Sequence, residues 1–288
     1  MTDALSSMHM KFVSYEYSKG PSFGAVIGED IIDLSDAGSS LRAVLATGPL
    51  GNLQAVAAQR EPIAPLNKVV LLQVVPDAAR VICVGKNYRD HAKEMGGEAP
   101  IQPNLFMRTP QSLVGHRQSI VCPNASSQYD YEGELAVVIG RGGRRISTER
   151  ALSHVAGYTC FLDGSVRDFQ KHSFTAGKNF DSSGACGPWL VPAAEVSDPQ
   201  NLTLTTRLNG KVVQHAKTSE MIHAVSSIIS YISTFTHLEP GDVIATGTPS
   251  GVGAARTPPI WLNPGDQVEV EIEDIGILAN TVIREPSI

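Results

Sequence analysis

The chain has 288 residues, of which 42% are hydrophobic and 18% charged, with a formal net charge of −6. That length suits one large domain or two unequal ones and can bury a sizeable core. The acidic balance argues against a nucleic-acid partner, which needs a basic footprint, and no apolar stretch reaches membrane-spanning length.

Met1 to Met10 are polar and lack the apolar centre of a signal peptide, so they are expected to be a disordered leader or an alternative start. Lys11–Tyr17 alternates as a strand does, and Phe23–Ile27 returns after turn chemistry at residues 18–22. Ile31–Leu34 follows, then two short helical patterns near Leu41–Ala46 and Leu53–Gln59. Pro62, Pro65 and Pro76 then break the pattern. We expect a small N-terminal β-rich domain over residues 1–75 and a second domain over 76–288.

Val81–Gly85 reads as a buried strand. Asn87 is placed to cap a helix that ends at Gly96-Gly97, which brings His91 and Glu94 onto one helix face. This short helix between Gly and Pro stretches is a candidate lid. A further helix is expected from Ser147 or Thr148 to about Val155, and a strand over Gly157–Leu162. Gly187–Val191, Leu202–Leu208 and Lys211–Gln214 are strand-like, and Asn209-Gly210 signals a hairpin. From Ser219, the spacing of Met221, Val225, Ile228, Ile232 and Phe235 predicts a helix packed on a sheet. Strands over Asp242–Ala245, Asp266–Glu273 and Ile277–Ile283 complete a mainly β chain with some helices, an α+β class. Cys83, Cys122, Cys160 and Cys186 form no CxxC pair and are expected to be reduced, buried thiols of a cytoplasmic protein.

The chemistry centres on Tyr129–Gly140. Its second half, Leu135–Ile139, is an apolar run typical of a buried strand. Side chains on a strand alternate faces, so Glu132 and Glu134 point the same way and Gly133 the other. Two like charges side by side are relieved by a hard divalent cation between them; a solvated strand end fits the spacing too. Asp163, closing the Gly157–Leu162 strand, offers a third carboxylate. Three carboxylates suit Mg²⁺ or Mn²⁺, or Ca²⁺, better than zinc.

Several pieces in order resemble the fumarylacetoacetate hydrolase family. They are Val84-Gly85-Lys86-Asn87-Tyr88 with Asp90-His91, and Asp130-Tyr131-Glu132-Gly133-Glu134-Leu135. Gly157-Tyr158-Thr159 with Asp163 and Arg167-Asp168-Phe169-Gln170 follow, then Gly177-Lys178-Asn179-Phe180-Asp181, Gly187-Pro188-Trp189 and Gly241 to Gly253. The resemblance spans about residues 80 to 283. It implies a mixed β-roll catalytic domain, usually dimeric, with Mg²⁺ or Mn²⁺ on Glu132, Glu134 and Asp163.

The family's reaction cleaves a 2,4-dioxo acid such as an acylpyruvate, with pyruvate leaving as a stabilised enolate. His91, oriented by Glu94, matches the family's base and would take a proton from water. Lys178 matches its active-site lysine; a solvated loop lysine is the alternative. Arg167 would hold a substrate carboxylate or pair with Asp168. Gln170 would share its face, and Thr248 would offer hydroxyl and backbone donors.

Leu162, Arg108 and Phe174 depart from the family pattern and are expected to bear on the substrate, with none touching the metal triad. Three readings follow: a C–C hydrolase on a small keto acid, favoured by His91–Glu94; a lyase or isomerase at the same site; and a non-catalytic Ca²⁺-binding β protein.

Overall fold

The computed structural model describes residues 10–18 and 20–286. The leader expected over Met1–Met10 lies outside them except for buried Met10, as does Lys19 of the first turn. Strands dominate, as their β-branched and alternating sequences predict, and helices are short.

One large sheet runs in the order Ala64–Pro65, Asp30–Asp33, Gly20–Ile27, Lys11–Tyr17, Gly184–Pro192, Val155–Leu162, Gly133–Ile139, Val243–Ala245, Val81–Gly85, Asn104–Arg108. The N-terminal strands therefore continue the sheet that carries Glu134, joined where Phe12 pairs with Leu190. One apolar cluster spans both segments, from Phe12, Phe23 and Leu41 to Ala136, Val138 and Phe161. A second sheet runs Lys211–Lys217, Thr203–Leu208, Gln267–Ile272, Gly276–Arg284, Ser119–Cys122. Its inner face shares the largest core with Leu135, Val137 and Ile139.

The strand Gly133–Ile139 is buried along its whole length. It is central in the first sheet and lies against the second sheet, so both of its faces are covered. Asn209 and Gly210, at φ of 51° and 76°, form the expected tight hairpin between Thr203–Leu208 and Lys211–Lys217.

Three local expectations change. The helix expected from Ser147 to Val155 is one α-helical turn, Thr148–Ala151, and a 3₁₀ turn; Val155 already belongs to the next strand. Asn87 caps no helix; the following helix, Arg89–Glu94, starts after Tyr88. Asn87 is fully buried and donates to the carbonyls of His223 (3.0 Å) and Thr246 (2.8 Å), while its side-chain oxygen accepts from the His223 amide (2.9 Å). The carbonyl of Asn87 also accepts from the Ile222 amide (2.7 Å).

These bonds explain the third change. With residues 222 and 223 tied to Asn87, the long helix starts at Val225 rather than Ser219 and runs to Phe235. Met221 still reaches the core from outside the helix, and Phe235 is exposed. The helix packs against Thr148–Ala151, and its Ile228, Ile229 and Ile232 share the core of the strand Gly133–Ile139.

Candidate active site

Antiparallel pairing of Gly133–Ile139 with Val155–Leu162 sets Gly133 opposite Leu162. That register brings Asp163 beside Glu132, and the Asp163 amide donates to the Glu132 carbonyl at 2.8 Å. Glu132, Glu134 and Asp163 are all buried, with ligand oxygens within 4.8 Å of one another. The surface alternative for the glutamate pair is thus removed. Gly133 faces the second sheet: a Cβ there would stand 2.1 Å from Thr206 Oγ1, a clash only glycine avoids.

Lys178 ends the short helix Phe174–Lys178, whose Ser173 cap accepts from the Ala176 amide at 3.1 Å. Gly177 lets this helix press on Gln170, where a Cβ would come within 2.6 Å. Lys178 is buried, and its ammonium donates to Glu132 (2.6 Å), Asp163 (2.7 Å) and Ser165 (2.6 Å). It is not a solvated loop lysine.

Arg167 pairs with Asp130 (2.8 Å) and Glu132 (2.7 Å) and donates to Gln170 (2.9 Å). Asp168 accepts instead from Ser126 (2.6 Å), so the expected Arg167–Asp168 bridge is not formed. The Thr248 hydroxyl donates to the Gly133 carbonyl (2.9 Å) and accepts from Gln214 (2.8 Å). Its proton therefore braces the glutamate strand, although Thr248 lines the cavity as expected.

His91 is buried, and its Nδ1 lies 2.8 Å from Glu94. Glu94 in turn accepts from the Gly251 amide at 2.9 Å, tying the lid helix to the turn after Thr248. Among the described residues, the other ring nitrogen of His91 has no partner within the protein. A cavity of about 450 Å³ is lined by His91, Glu132, Glu134, Arg167, Gln170, Lys178 and Thr248, with Val84, Met95, Phe106, Phe174 and Trp261 as apolar wall. Seven of the nine expected site residues line it; Glu94 reaches it through His91, and Asp163 lies behind Lys178.

Two residues beneath the site were not expected among its carboxylates. Asp130 is fully buried and accepts from Arg167 and from the amides of Tyr131, Gly253 and Ala254. It lies two residues before Glu132, so the every-second-residue pattern that marked the glutamates extended to it. Arg108 is also buried; it donates to Asp163 (2.5 Å), to the Gly164 carbonyl (2.9 Å), to the Ser112 hydroxyl and carbonyl, and to Ser183. The expectation that Arg108 concerns the substrate and leaves the triad untouched is therefore corrected. Its long reach from the sheet edge to Asp163 is set by tertiary packing.

Charge decides whether a cation fits. Four acids, Asp130, Glu132, Glu134 and Asp163, face three bases, Arg108, Arg167 and Lys178. Burial pushes Glu132 up, but Lys178, Arg167 and His91 outweigh it and hold its carboxyl well below the ordinary range. Burial, Asp163 and Glu132 push Glu134 far above that range. Burial pulls the Lys178 ammonium down, yet Asp163 and Glu132 leave it raised. Glu134 is thus the acid left without a matching cation, and a divalent cation held by three oxygens suits this donor set and would favour its ionised form.

The family model for the fumarylacetoacetate (FAA) hydrolase C-terminal domain matches residues 80–283. The chain belongs to this enzyme family and has its fold. It is 42% identical over 234 residues to the human protein named oxaloacetate tautomerase FAHD2A, mitochondrial, covering 80% of this chain and 74% of that one. It is 44% identical over 223 residues to oxaloacetate tautomerase YisK of Bacillus subtilis, covering 75% and 74%. The solved structure of 5-carboxymethyl-2-hydroxymuconate delta-isomerase from Mycobacterium smegmatis superposes with a TM-score of 0.78 at 32% identity, covering 96% of this chain and all of that one.

Proposed function

We propose that this chain is a divalent-metal-dependent tautomerase of a 2-oxo diacid of the oxaloacetate class. The observation that carries the proposal is its 42% and 44% identity to two proteins named oxaloacetate tautomerase. The geometry supplies the parts. Mg²⁺ or Mn²⁺ on Glu132, Glu134 and Asp163 would supply positive charge to the carboxylate and 2-oxo oxygens of the substrate.

His91, oriented through Nδ1 by Glu94, takes a proton from C3 with its other ring nitrogen. The C–H electron pair becomes the C2–C3 double bond, and negative charge moves to the C2 oxygen. Return of the proton to that oxygen gives the enol; return to C3 gives the keto form. Lys178 keeps its proton and adds a positive charge at the same end of the cavity. Arg167 and Asp130 hold Glu132 in place. Phe106, Phe174 and Trp261 give the carbon acid an apolar wall.

C–C hydrolysis, expected from the sequence, is the second reading. It is favoured by the same His91–Glu94 couple, because a base that takes a proton from carbon can take one from water. The couple therefore does not separate the two reactions. Stopped-flow loss of the enol absorbance of oxaloacetate with Mg²⁺ tests the first reading, and pyruvate release from an acylpyruvate tests the second. A wild-type enzyme that releases pyruvate but does not speed ketonisation would reverse their order. The family resemblance also supports a homodimer, which sedimentation would test, and four buried free thiols support a reducing compartment such as the cytoplasm. Among the described residues no helix is long and apolar enough to cross a membrane.

A further inference from the structure

The cations around the cavity fall into two groups. Arg167, Lys178 and Arg108 are bound to carboxylates, and His91 is bound to Glu94. Lys86 and Lys171 also line the cavity, and among the described residues neither ammonium has an ion-pair or hydrogen-bond partner. A diacid whose first carboxylate and 2-oxo oxygen would face a cation held by the triad must find its second counter-charge in this second group.

Lys86 is the better placed of the two. It is half-buried, whereas Lys171 is exposed. Its backbone is fixed in the left-handed region at φ 57°, a conformation that costs an ordinary residue about 1 kcal/mol and is kept where structure over-determines it. The over-determination is visible: Lys86 sits between the end of the strand Val81–Gly85 and buried Asn87, which is held by its bonds to residues 222, 223 and 246. The ammonium lies about the turn that ends the lid, 3.0 Å from where a Cβ on Gly97 would stand. A partly desolvated cation on a fixed backbone binds an anion more strongly than a mobile surface lysine does.

We propose that Lys86 is the specificity-determining residue that binds the distal carboxylate of the substrate under the lid. The inference rests on the tautomerase reading and names the residue that recognises the second carboxylate. Hydrogen–deuterium exchange at C3, followed by NMR on Mg²⁺-loaded enzyme, tests it with oxaloacetate and with pyruvate, which shares the 2-oxo acid head and lacks the second carboxylate. Lys86→Met should raise KM for oxaloacetate tenfold or more, with a much smaller effect on kcat and on pyruvate exchange. Lys86→Arg should restore the diacid preference, and Lys171→Met should keep it.

An unchanged KM for oxaloacetate in Lys86→Met, or an equal rise for pyruvate, overturns the inference. If the wild type exchanges neither acid, the tautomerase reading fails. Calorimetric binding of oxaloacetate to wild type and Lys86→Met then decides Lys86 separately: tenfold weaker binding in the variant upholds its role, and equal binding overturns it.

Discussion

The floor and the lid of the cavity are made by opposite means. The floor is two paired strands whose carboxylates are wholly buried and fastened by Arg108, Arg167, Lys178 and backbone amides. The lid is the six-residue helix Arg89–Glu94 and an irregular stretch with Ile101 almost fully exposed. A few bonds tether it: Glu94 to the Gly251 amide, His223 to the Pro100 carbonyl at 3.0 Å, and Lys86 lying against Gly97. Such a division would let one part hold charge in fixed geometry while the other opens for substrate. Changes in the floor should therefore cost metal and stability, and changes in the lid should cost rate.

Asp163→Ala should give the largest effect. It removes a ligand and leaves Arg108 and Lys178 short of a counter-charge. Activity should fall by about 10³-fold or more, and titration should show loss of tight Mn²⁺ binding; retention of both would break the floor side of the contrast. His91→Ala comes next, with kcat lower by about 10²–10⁴-fold and Mn²⁺ affinity retained. If metal binding were lost as well, lid and floor would not be separable.

Arg108→Met should unfold at lower urea, by about 2–3 kcal/mol, because it removes one of the two cations on buried Asp163 and leaves the Gly164 and Ser112 carbonyls short of a donor. A change under 1 kcal/mol would mean that the floor is not held from below. Glu94→Gln should lower kcat about tenfold with little change in urea midpoint, since the amide oxygen can still accept from Gly251 while the carboxylate that orients His91 is lost.

The smallest effect concerns His116, at the edge of the second sheet that backs the floor. Burial, and then Arg117, push its pKa down to about 4, and its Nδ1 accepts from the Ala279 amide at 3.1 Å. The unfolded chain, titrating near 6.5, binds more protons between these values. The contribution is therefore complete above about pH 6.5 and is lost as pH falls towards 4. After allowance for partial exposure it is about 1 kcal/mol, and His116→Asn should flatten that part of the stability profile. A profile with an unchanged slope would remove His116 from the account.

The same division governs how much of the molecule could be read from its residues. Glu132, Glu134 and Asp163 were legible because strand alternation and strand ends are local properties. His91 and Glu94 were legible because three residues make one helix face. The pairing of Arg167 with Asp130, of Asn87 with Thr246 and of Arg108 with Asp163 was not, because these partners lie 37, 159 and 55 residues away in sequence and are brought near by sheet order. The start of the long helix was misplaced for the same reason: its spacing is local, and the bonds that delay it to Val225 come from Asn87. The continuity of the N-terminal strands with the central sheet depends on a single pairing, Phe12 with Leu190, which no local pattern announces.

The contact of Gly133 with Thr206 carries one more consequence. The two glutamates are spaced by a residue pressed against the second sheet, with Gln214 bonding its amide at 3.0 Å and Thr248 its carbonyl. The span between the metal-facing oxygens is thus inherited from how closely two sheets lie together. Substitutions in that interface, remote from every ligand, would be felt as a change in the ionic radius the site prefers. For a cation held by the triad, the spacing of the two sheets would then matter as much as the carboxylates themselves.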